Sequence, residues 1–106
     1  MTDYVPDEGD IVWIQFSPSV GREQAGHRPA VVLTKATYNR RTGMLFCVPL
    51  TSRIKNYPFE VGVGSGVALV DHSRAVDWRG RGLTRKGAAT SEEMQAVRAK
   101  LHKLVG

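Results

Sequence analysis

The chain has 106 residues, a length that suits one domain with a single core and is too short for two. Hydrophobic residues make up 42% of it, which predicts a globular protein, and no apolar run is long enough to span a membrane. The net charge of +5 favours a polyanionic partner, although a merely soluble basic surface would explain the charge equally well. One cysteine, Cys47, excludes an internal disulfide, and the acidic N-terminus lacks a signal-peptide pattern, so a cytoplasmic location is expected.

Short runs of β-branched and aromatic residues predict strands that are separated by turn signals. The predicted strands are residues 11–16, 30–34, 44–50, 59–63, 67–70 and 75–78. A single helical turn is predicted over residues 35–39, and Pro49 indicates an edge strand or a bulge near the end of the third strand. The close spacing of these strands predicts a mainly β fold, a small barrel.

The end of the chain predicts an amphipathic α-helix. Thr90 and Glu93 have the spacing of a capping box, in which each side chain binds the other residue's backbone N–H. An apolar stripe follows at three- and four-residue steps, made of Met94, Val97, Leu101 and Leu104. We expect this stripe to pack on the barrel; the alternative is an external helical partner.

Most of the polar functional groups lie in three loops, residues 21–28, 51–55 and 79–86. The first two loops abut strand ends, so a barrel would bring them together at one end. The side chains expected to meet there are Glu23, His27, Arg28, Thr51 and Ser52.

This set of side chains suits cleavage of a phosphodiester by its own ribose 2′-hydroxyl, which needs a base, a cation and an acid. Arg28 is the candidate phosphate clamp, because its planar fork can donate two parallel hydrogen bonds, and Thr51 can donate another. Glu23 is the candidate base and His27 a candidate acid. The alternative is a surface salt bridge between Glu23 and Arg28, with His27 only capping the strand.

Two basic tracks favour single-stranded RNA over duplex DNA, because RNA readers stack splayed bases on aromatic or guanidinium planes. The predicted RNA contacts are Gln24, His27, Ser52, Arg53, Lys55, Tyr57, Arg79, Arg81, Arg85 and Lys86. Each basic track alone could equally be a solvated surface.

The remaining reactive residue types do not form a recognisable site. His27, His72 and His102 lack the spacing of metal ligands, and no phosphate-binding Gly-Lys-Ser/Thr loop is present, so no metal or other cofactor is expected. Asp71 and His72 would point to opposite faces of a strand, so His72 is expected to line a pocket. Cys47 lies between apolar neighbours and is expected to be buried and inert.

Seven segments carry a resemblance to a known family. They read Tyr-Val-Pro-Asp at 4–7, Gly-Asp-Ile-Val-Trp at 9–13, Glu-Gln-Ala-Gly-His-Arg-Pro-Ala-Val-Val-Leu at 23–33, Cys-Val-Pro-Leu-Thr at 47–51, Tyr-Pro-Phe-Glu-Val at 57–61, Gly-Val-Ala-Leu at 66–69 and Trp-Arg at 78–79. The chain thereby resembles the MazF/PemK family of toxin endoribonucleases from bacterial toxin–antitoxin systems over nearly its whole length.

The resemblance implies one SH3-like barrel domain, residues 1–106, with a C-terminal helix, that works as a homodimer. It implies metal-independent, sequence-specific cleavage of single-stranded mRNA, which leaves a 2′,3′-cyclic phosphate and a 5′-hydroxyl. Arg28 and Thr51 match the family's catalytic arginine and threonine, and Glu23 matches its glutamate. The implied partner is a MazE-like antitoxin whose disordered tail blocks the RNA groove.

Two departures from the family pattern bear on RNA sequence preference. The hairpin over residues 62–66 is shorter, and His72 stands where a glutamine is common. Two other functions remain open: a toxin of the same fold that poisons gyrase by protein binding, and a barrel that binds RNA without cutting it.

Overall fold

The computed structural model describes residues 4–16 and 26–106. Its strands are β1 Asp10–Gln15, β2 His27–Val32, β3 Met44–Thr51, β4 Glu60–Val63, β5 Gly66–Leu69, β6 Arg74–Asp77 and β7 Thr84–Ala88. Helix α1, Ala36–Thr42, joins β2 to β3, and helix α2, Ser91–Val105, ends the chain. A 3₁₀ turn, Val70–His72, lies between β5 and β6.

The strands form one antiparallel sheet in the order β4-β5-β3-β2-β1-β7, and β6 pairs with β3 outside this path. Strand β3 is therefore the hub: it pairs with β2 along one side and with both β6 and β5 along the other. Because one strand serves two partners on the same side, the sheet curls into a half-barrel. The predicted mainly β fold with a C-terminal helix is confirmed.

Pro49 marks the point where β3 changes partners. Residues 44–47 pair with β6 and residues 50–51 pair with β5, so Pro49 falls between the two. The Phe46 carbonyl faces β2, where it accepts a hydrogen bond from the Leu33 N–H. Because the backbone groups of successive strand residues face alternate sides, the nitrogen of Pro49 faces away from β2. The prediction of an edge strand was wrong: a central strand tolerates this proline because no ladder bond is needed there.

Strand β7 and helix α1 differ from the sequence prediction. Strand β7 lies in what was predicted to be a basic loop. Among the described residues it pairs with β1 alone, as an edge strand, and its charged residues Arg85 and Lys86 are typical of protected edges. Helix α1 is longer than the predicted single turn and ends at Gly43, whose φ of 72° is in the left-handed region.

The central strands bury both of their faces, which explains why they have apolar runs instead of alternating residues. On β2, Ala30 and Val32 belong to an inner core inside the curl, whereas Val31 belongs to an outer core beneath α2. Cys47 lies in the inner core as predicted, and burial raises the pKa of its thiol to about 12.

Helix α2 covers the outer core. Val97 is fully buried there, and Met94 and Leu101 pack against the same cluster, which confirms most of the predicted stripe. Leu104 is 41% exposed and lies beyond the packed part of the helix. Within the part of the chain that the structure describes, no helix is long and apolar enough to cross a membrane.

The N-terminus of α2 is joined to the β4–β5 hairpin through one carboxylate. The predicted capping box is present: Thr90 Oγ1 accepts from the Glu93 N–H at 3.1 Å, and Glu93 Oε1 accepts from the Thr90 N–H at 2.8 Å. The other carboxylate oxygen, Oε2, accepts from the Gly64 N–H at 2.7 Å. These hydrogen bonds, that of Thr90 before that of Gly64, lower the pKa of Glu93.

We expect Glu93→Gln to lower the free energy of unfolding at pH 7 by about 0.5–1 kcal/mol, because a glutamine has one acceptor oxygen where the glutamate uses two. Since the folded-state pKa is depressed, this stabilisation is present above the unfolded-state pKa and is lost as the pH falls through the folded-state value. Denaturant unfolding between pH 7 and pH 3 should therefore show a shallower pH dependence for the variant.

Glu92→Gln is the matched control, because Glu92 lies in the same first turn of α2 and carries the same charge. It removes the same interaction with the helix dipole without touching the hairpin. Equal losses of stability in the two variants would contradict a specific role for the Glu93 carboxylate.

Candidate active site

A cleft of about 1010 Å³ opens where β2 begins and β3 ends. It is lined by Arg28, Thr51, Arg53, Lys55, Tyr57, Pro58, Phe59, Glu60, Leu69, Asp71 and His72. Its lining joins cations, a hydroxyl and aromatic rings, which are the groups expected of a site that binds an unpaired nucleic-acid strand. It also contains two carboxylates, Glu60 and Asp71.

Arg28 and Thr51 meet in this cleft because of the register between two strands. Ala30 pairs with Pro49, and the same antiparallel register continued by two residues places Arg28 opposite Thr51. The alternation of β2 puts Arg28 on the same face as Ala30 and Val32, at the mouth of the inner core. Both residues therefore line one cleft, and their convergence on a single phosphate stays a prediction.

The Thr51 hydroxyl is oriented by the loop that follows it. Its Oγ1 accepts a hydrogen bond from the Arg53 N–H at 3.2 Å. Since a hydroxyl both accepts and donates, this contact leaves the hydroxyl hydrogen available to a ligand in the cleft.

The rim of the cleft carries the first of the two predicted basic tracks. Arg53 and Lys55 lie in the exposed loop between β3 and β4, and the Tyr57 side chain is 55% exposed. All three line the cleft beside Arg28 and Thr51. Ser52 is exposed in the same loop and is not part of the lining.

His72 reaches the cleft from a 3₁₀ turn and not from the strand that was predicted. Because residues in such a turn do not alternate between two faces, both Asp71 and His72 line the cleft, with Asp71 Oδ1 at 4.0 Å from His72 Nε2. The prediction that His72 lines a pocket is confirmed.

The side chain of His27 does not lie beside that of Arg28. Its ring stacks on Trp13, with the ring centroids 5.6 Å apart and an interplanar angle of 23°. Trp13 and His27 share the face of the sheet opposite to Arg28, because neighbouring residues on a strand point to opposite sides. The expectation that His27 joins the cleft was wrong.

Residues 7–105 match the family of PemK-like, MazF-like toxins of type II toxin–antitoxin systems. The chain belongs to this family. It is 51% identical to the endoribonuclease toxin MazF of Escherichia coli K12 over 97% of this chain and 96% of that protein.

Solved structures of MazF-like toxins have the same fold. The crystal structure of MazF from Deinococcus radiodurans superposes with a TM-score of 0.94 and 48% identity, covering 98% of this chain and 99% of that one. A MazE–MazF crystal structure from the same organism gives a TM-score of 0.87 at 48% identity, covering 98% of each chain.

The second predicted basic track of this MazF-like chain is not one continuous surface. Arg79 donates to the Arg40 carbonyl and lies 5.3 Å from the centroid of the Trp78 ring. Arg81 donates from Nε to the Asp77 carbonyl and from Nη1 to the Gln15 carbonyl, both at 2.9 Å. These two arginines connect distant segments, and neither lines the cleft.

The other two residues of that track lie on β7. Arg85 forms an ion pair with Asp10 at 3.6 Å, and Lys86 Nζ lies 5.8 Å from the Trp13 ring centroid. Neither lines the cleft. A role of these residues in RNA binding stays a prediction.

Two predicted residues, Glu23 and Gln24, lie outside the described residues. The sequence analysis did not single out Glu60 and placed Asp71 on the face opposite to His72, but both carboxylates line the cleft.

Glu60 organises the loop at the rim. Its Oε1 accepts from the Asn56 N–H at 3.0 Å, and its Oε2 accepts from the Lys55 N–H at 3.2 Å. Asn56 has a φ of 59°, so the carboxylate supports a tight turn in the left-handed region. A carboxylate that faces a polyanion weakens binding by electrostatic repulsion. Glu60 opposes this effect if its hydrogen bonds to the loop hold the basic side chains in place.

We expect Glu60→Gln to weaken RNA binding about tenfold, because losing hydrogen bonds to a charged acceptor releases the loop that carries Lys55 and Tyr57. Asp71→Asn removes an equal charge from the same cleft without touching that loop, so it should bind RNA at least as tightly as the wild type. RNA affinity measured by fluorescence anisotropy separates the two effects. Tighter binding by both variants would show that charge repulsion outweighs loop organisation.

Proposed function

We propose that the chain is the toxin of a toxin–antitoxin pair, an endoribonuclease that cuts single-stranded mRNA at a short sequence. The cut uses the ribose 2′-hydroxyl and no metal ion, leaves a 2′,3′-cyclic phosphate and a 5′-hydroxyl, and thereby inhibits translation and growth. One observation supports the proposal: Arg28 and Thr51 line the same cleft, which has a basic rim, and the register of β2 with β3, continued from the pair Ala30–Pro49, sets the two residues opposite each other.

The proposed reaction is an internal phosphoryl transfer. The 2′-oxygen forms a bond to phosphorus while the bond from phosphorus to the 5′-oxygen breaks, and negative charge builds up on the non-bridging oxygens. Arg28 donates two parallel hydrogen bonds to those oxygens and Thr51 donates a third. The proton of the 2′-hydroxyl passes to a base, for which we propose Glu23, and the leaving 5′-oxygen takes up a proton.

The rim of the cleft supports a single-stranded substrate. Arg53 and Lys55 supply charge for flanking phosphates, and the exposed ring of Tyr57 offers a stacking surface for a base. A base in a duplex is already stacked and paired, so it can use this ring only after it leaves the helix. The arrangement therefore favours an unpaired strand.

We further propose a cognate MazE-like antitoxin that covers this cleft, a homodimeric toxin and a cytoplasmic site of action. The support for the antitoxin is the family itself and the MazE–MazF crystal structures of the Deinococcus relative. Titration of the toxin with its antitoxin should stop RNA cleavage at a fixed stoichiometry, and sedimentation of the free toxin should give twice the mass of one chain.

The deciding experiment incubates the chain with a long single-stranded transcript in EDTA and maps the new ends. We expect cuts at one short recurring sequence, with 5′-hydroxyl and cyclic-phosphate ends, and no cuts when the same sequence is in a duplex. Intact RNA that is bound with a steep salt dependence would favour the non-catalytic RNA-binding barrel. Intact RNA without binding would favour a toxin that acts on a protein, and 5′-phosphate ends would exclude attack by the 2′-hydroxyl.

A further inference from the structure

Gly66, the first residue of β5, lies against the backbone of Thr51. A Cβ atom built on Gly66 would lie 2.6 Å from the Thr51 carbonyl oxygen and 3.3 Å from its carbonyl carbon. Cβ atoms essentially never come within 3.0 Å of a heavy atom outside their own residue and its chain neighbours, so any side chain here must displace the backbone of Thr51. The need for glycine at this position comes from close approach and not from backbone torsion, since the φ of Gly66 is not in the positive range.

This contact is specific to one glycine of the β4–β5 hairpin. Gly62 lies on β4 in the same hairpin, and its Cβ would have nothing within 4 Å. Gly64 has an equally open surrounding but a φ of 58°, which the turn itself requires. Gly66 therefore differs from both by touching a residue of the cleft.

The contact falls where β3 leaves the sheet. Thr51 pairs with Val67 of β5 and is the last residue of β3, and the rim loop begins at Ser52. The sheet thus holds Thr51 by its backbone through β5, while the Arg53 N–H holds its hydroxyl from the loop side. Both restraints act on the group that we propose to donate to the scissile phosphate.

We propose that Gly66 is a positioning residue for RNA cleavage: its missing side chain lets β5 approach Thr51 closely and fixes the hydroxyl in the place where it faces Arg28. This inference rests on the proposed function. Gly66 does not itself contact RNA; it acts through Thr51. Because a displacement of about 1 Å can reduce a reaction rate about a hundredfold, the chemical step is the quantity that should respond.

The test compares Gly66→Ala with Gly62→Ala, which add the same methyl group to the same hairpin. We expect Gly66→Ala to lower the single-turnover cleavage rate about 10-fold to 100-fold, while its RNA affinity stays within about twofold of the wild type. Gly62→Ala should change neither quantity. Equal cleavage rates of Gly66→Ala and Gly62→Ala would overturn the inference, and so would a loss confined to RNA binding.

Thr51→Ala separates this inference from the proposed function. If Thr51→Ala cuts RNA at the wild-type rate, the role of Thr51 in the proposed reaction fails, and the role of Gly66 fails with it. If Thr51→Ala is slow but Gly66→Ala is normal, only the inference about Gly66 fails. In the Thr51→Ala background, the second change Gly66→Ala should cause little further loss, because both act through one hydroxyl.

A second pair of variants tests the same positioning if Gly66→Ala does not fold. Arg53→Pro and Arg53→Ala both remove the guanidinium from an exposed loop, but only proline also removes the N–H that holds Thr51 Oγ1. We expect Arg53→Pro to cleave saturating RNA about tenfold more slowly than Arg53→Ala. Equal rates would show that the placement of the Thr51 hydroxyl does not limit cleavage and would overturn the inference.

Discussion

Replacing Arg28 by alanine is expected to lower the rate of RNA cleavage about a thousandfold, the largest loss of activity that we expect from one side chain. Removing a single donor from a pre-organised anion site reduces rates by about 10²-fold to 10³-fold, and an arginine at a transferring phosphoryl group contributes at least as much. Single-turnover cleavage of a short RNA that contains the cut sequence measures this effect without interference from product release.

Two other arginine variants distinguish chemistry from binding. Arg28→Lys keeps the positive charge but loses the planar fork, so it should recover only part of the lost rate. Arg53→Ala removes a charge from the rim of the same cleft and should raise the RNA concentration needed for half-maximal rate more than it lowers the maximal rate. Full cleavage by Arg28→Ala would remove Arg28 from the proposed mechanism.

The placement of Arg28 and Thr51 in one cleft was predictable from the sequence because each residue adjoins a recognisable apolar run, which Arg28 precedes and Thr51 follows. Ala30, Val31 and Val32 form one of these strands, and both ends of a strand pair are fixed once its register is set. Helix α2 was predictable for a similar reason, since its capping box and apolar spacing are local signals. Local patterns therefore define most of the strands and half of the candidate site.

The positions of the residues that were predicted wrongly depend on long-range pairing, which no local sequence pattern contains. His27 and Arg28 are neighbours in sequence, but their side chains point to opposite faces of β2. Which face each side chain occupies can be told only from the positions of the buried residues of β2. The sequence predicts a loop cation at Arg81, but its guanidinium donates to the carbonyl of Gln15, which lies 66 positions away in the chain. Strand β7 has no apolar pattern, because an edge strand is held by main-chain bonds to its partner.

The second large effect that we expect is on stability: Asn39→Ala should lower the free energy of unfolding by about 2–4 kcal/mol. Asn39 is fully buried at the end of the sheet. Its Nδ2 donates to the Pro6 carbonyl at 2.8 Å and to the Thr34 carbonyl at 2.9 Å, while its Oδ1 accepts from Thr34 Oγ1 at 2.6 Å. Alanine would leave these buried groups without their partner, and each unsatisfied group costs about 1–3 kcal/mol.

Tyr38→Ala is the matched control, because Tyr38 is the preceding residue of α1 and its side chain is 49% exposed. Both variants place alanine at consecutive helical positions, so differences in helix propensity stay within about 0.7 kcal/mol and the buried hydrogen bonds account for the rest. Denaturant unfolding of the two variants measures that difference directly. Since Asn39 does not line the cleft, the folded fraction of Asn39→Ala should still cut RNA at the wild-type rate in the cold. A loss of stability no larger than that of Tyr38→Ala would mean that water replaces the lost amide without penalty.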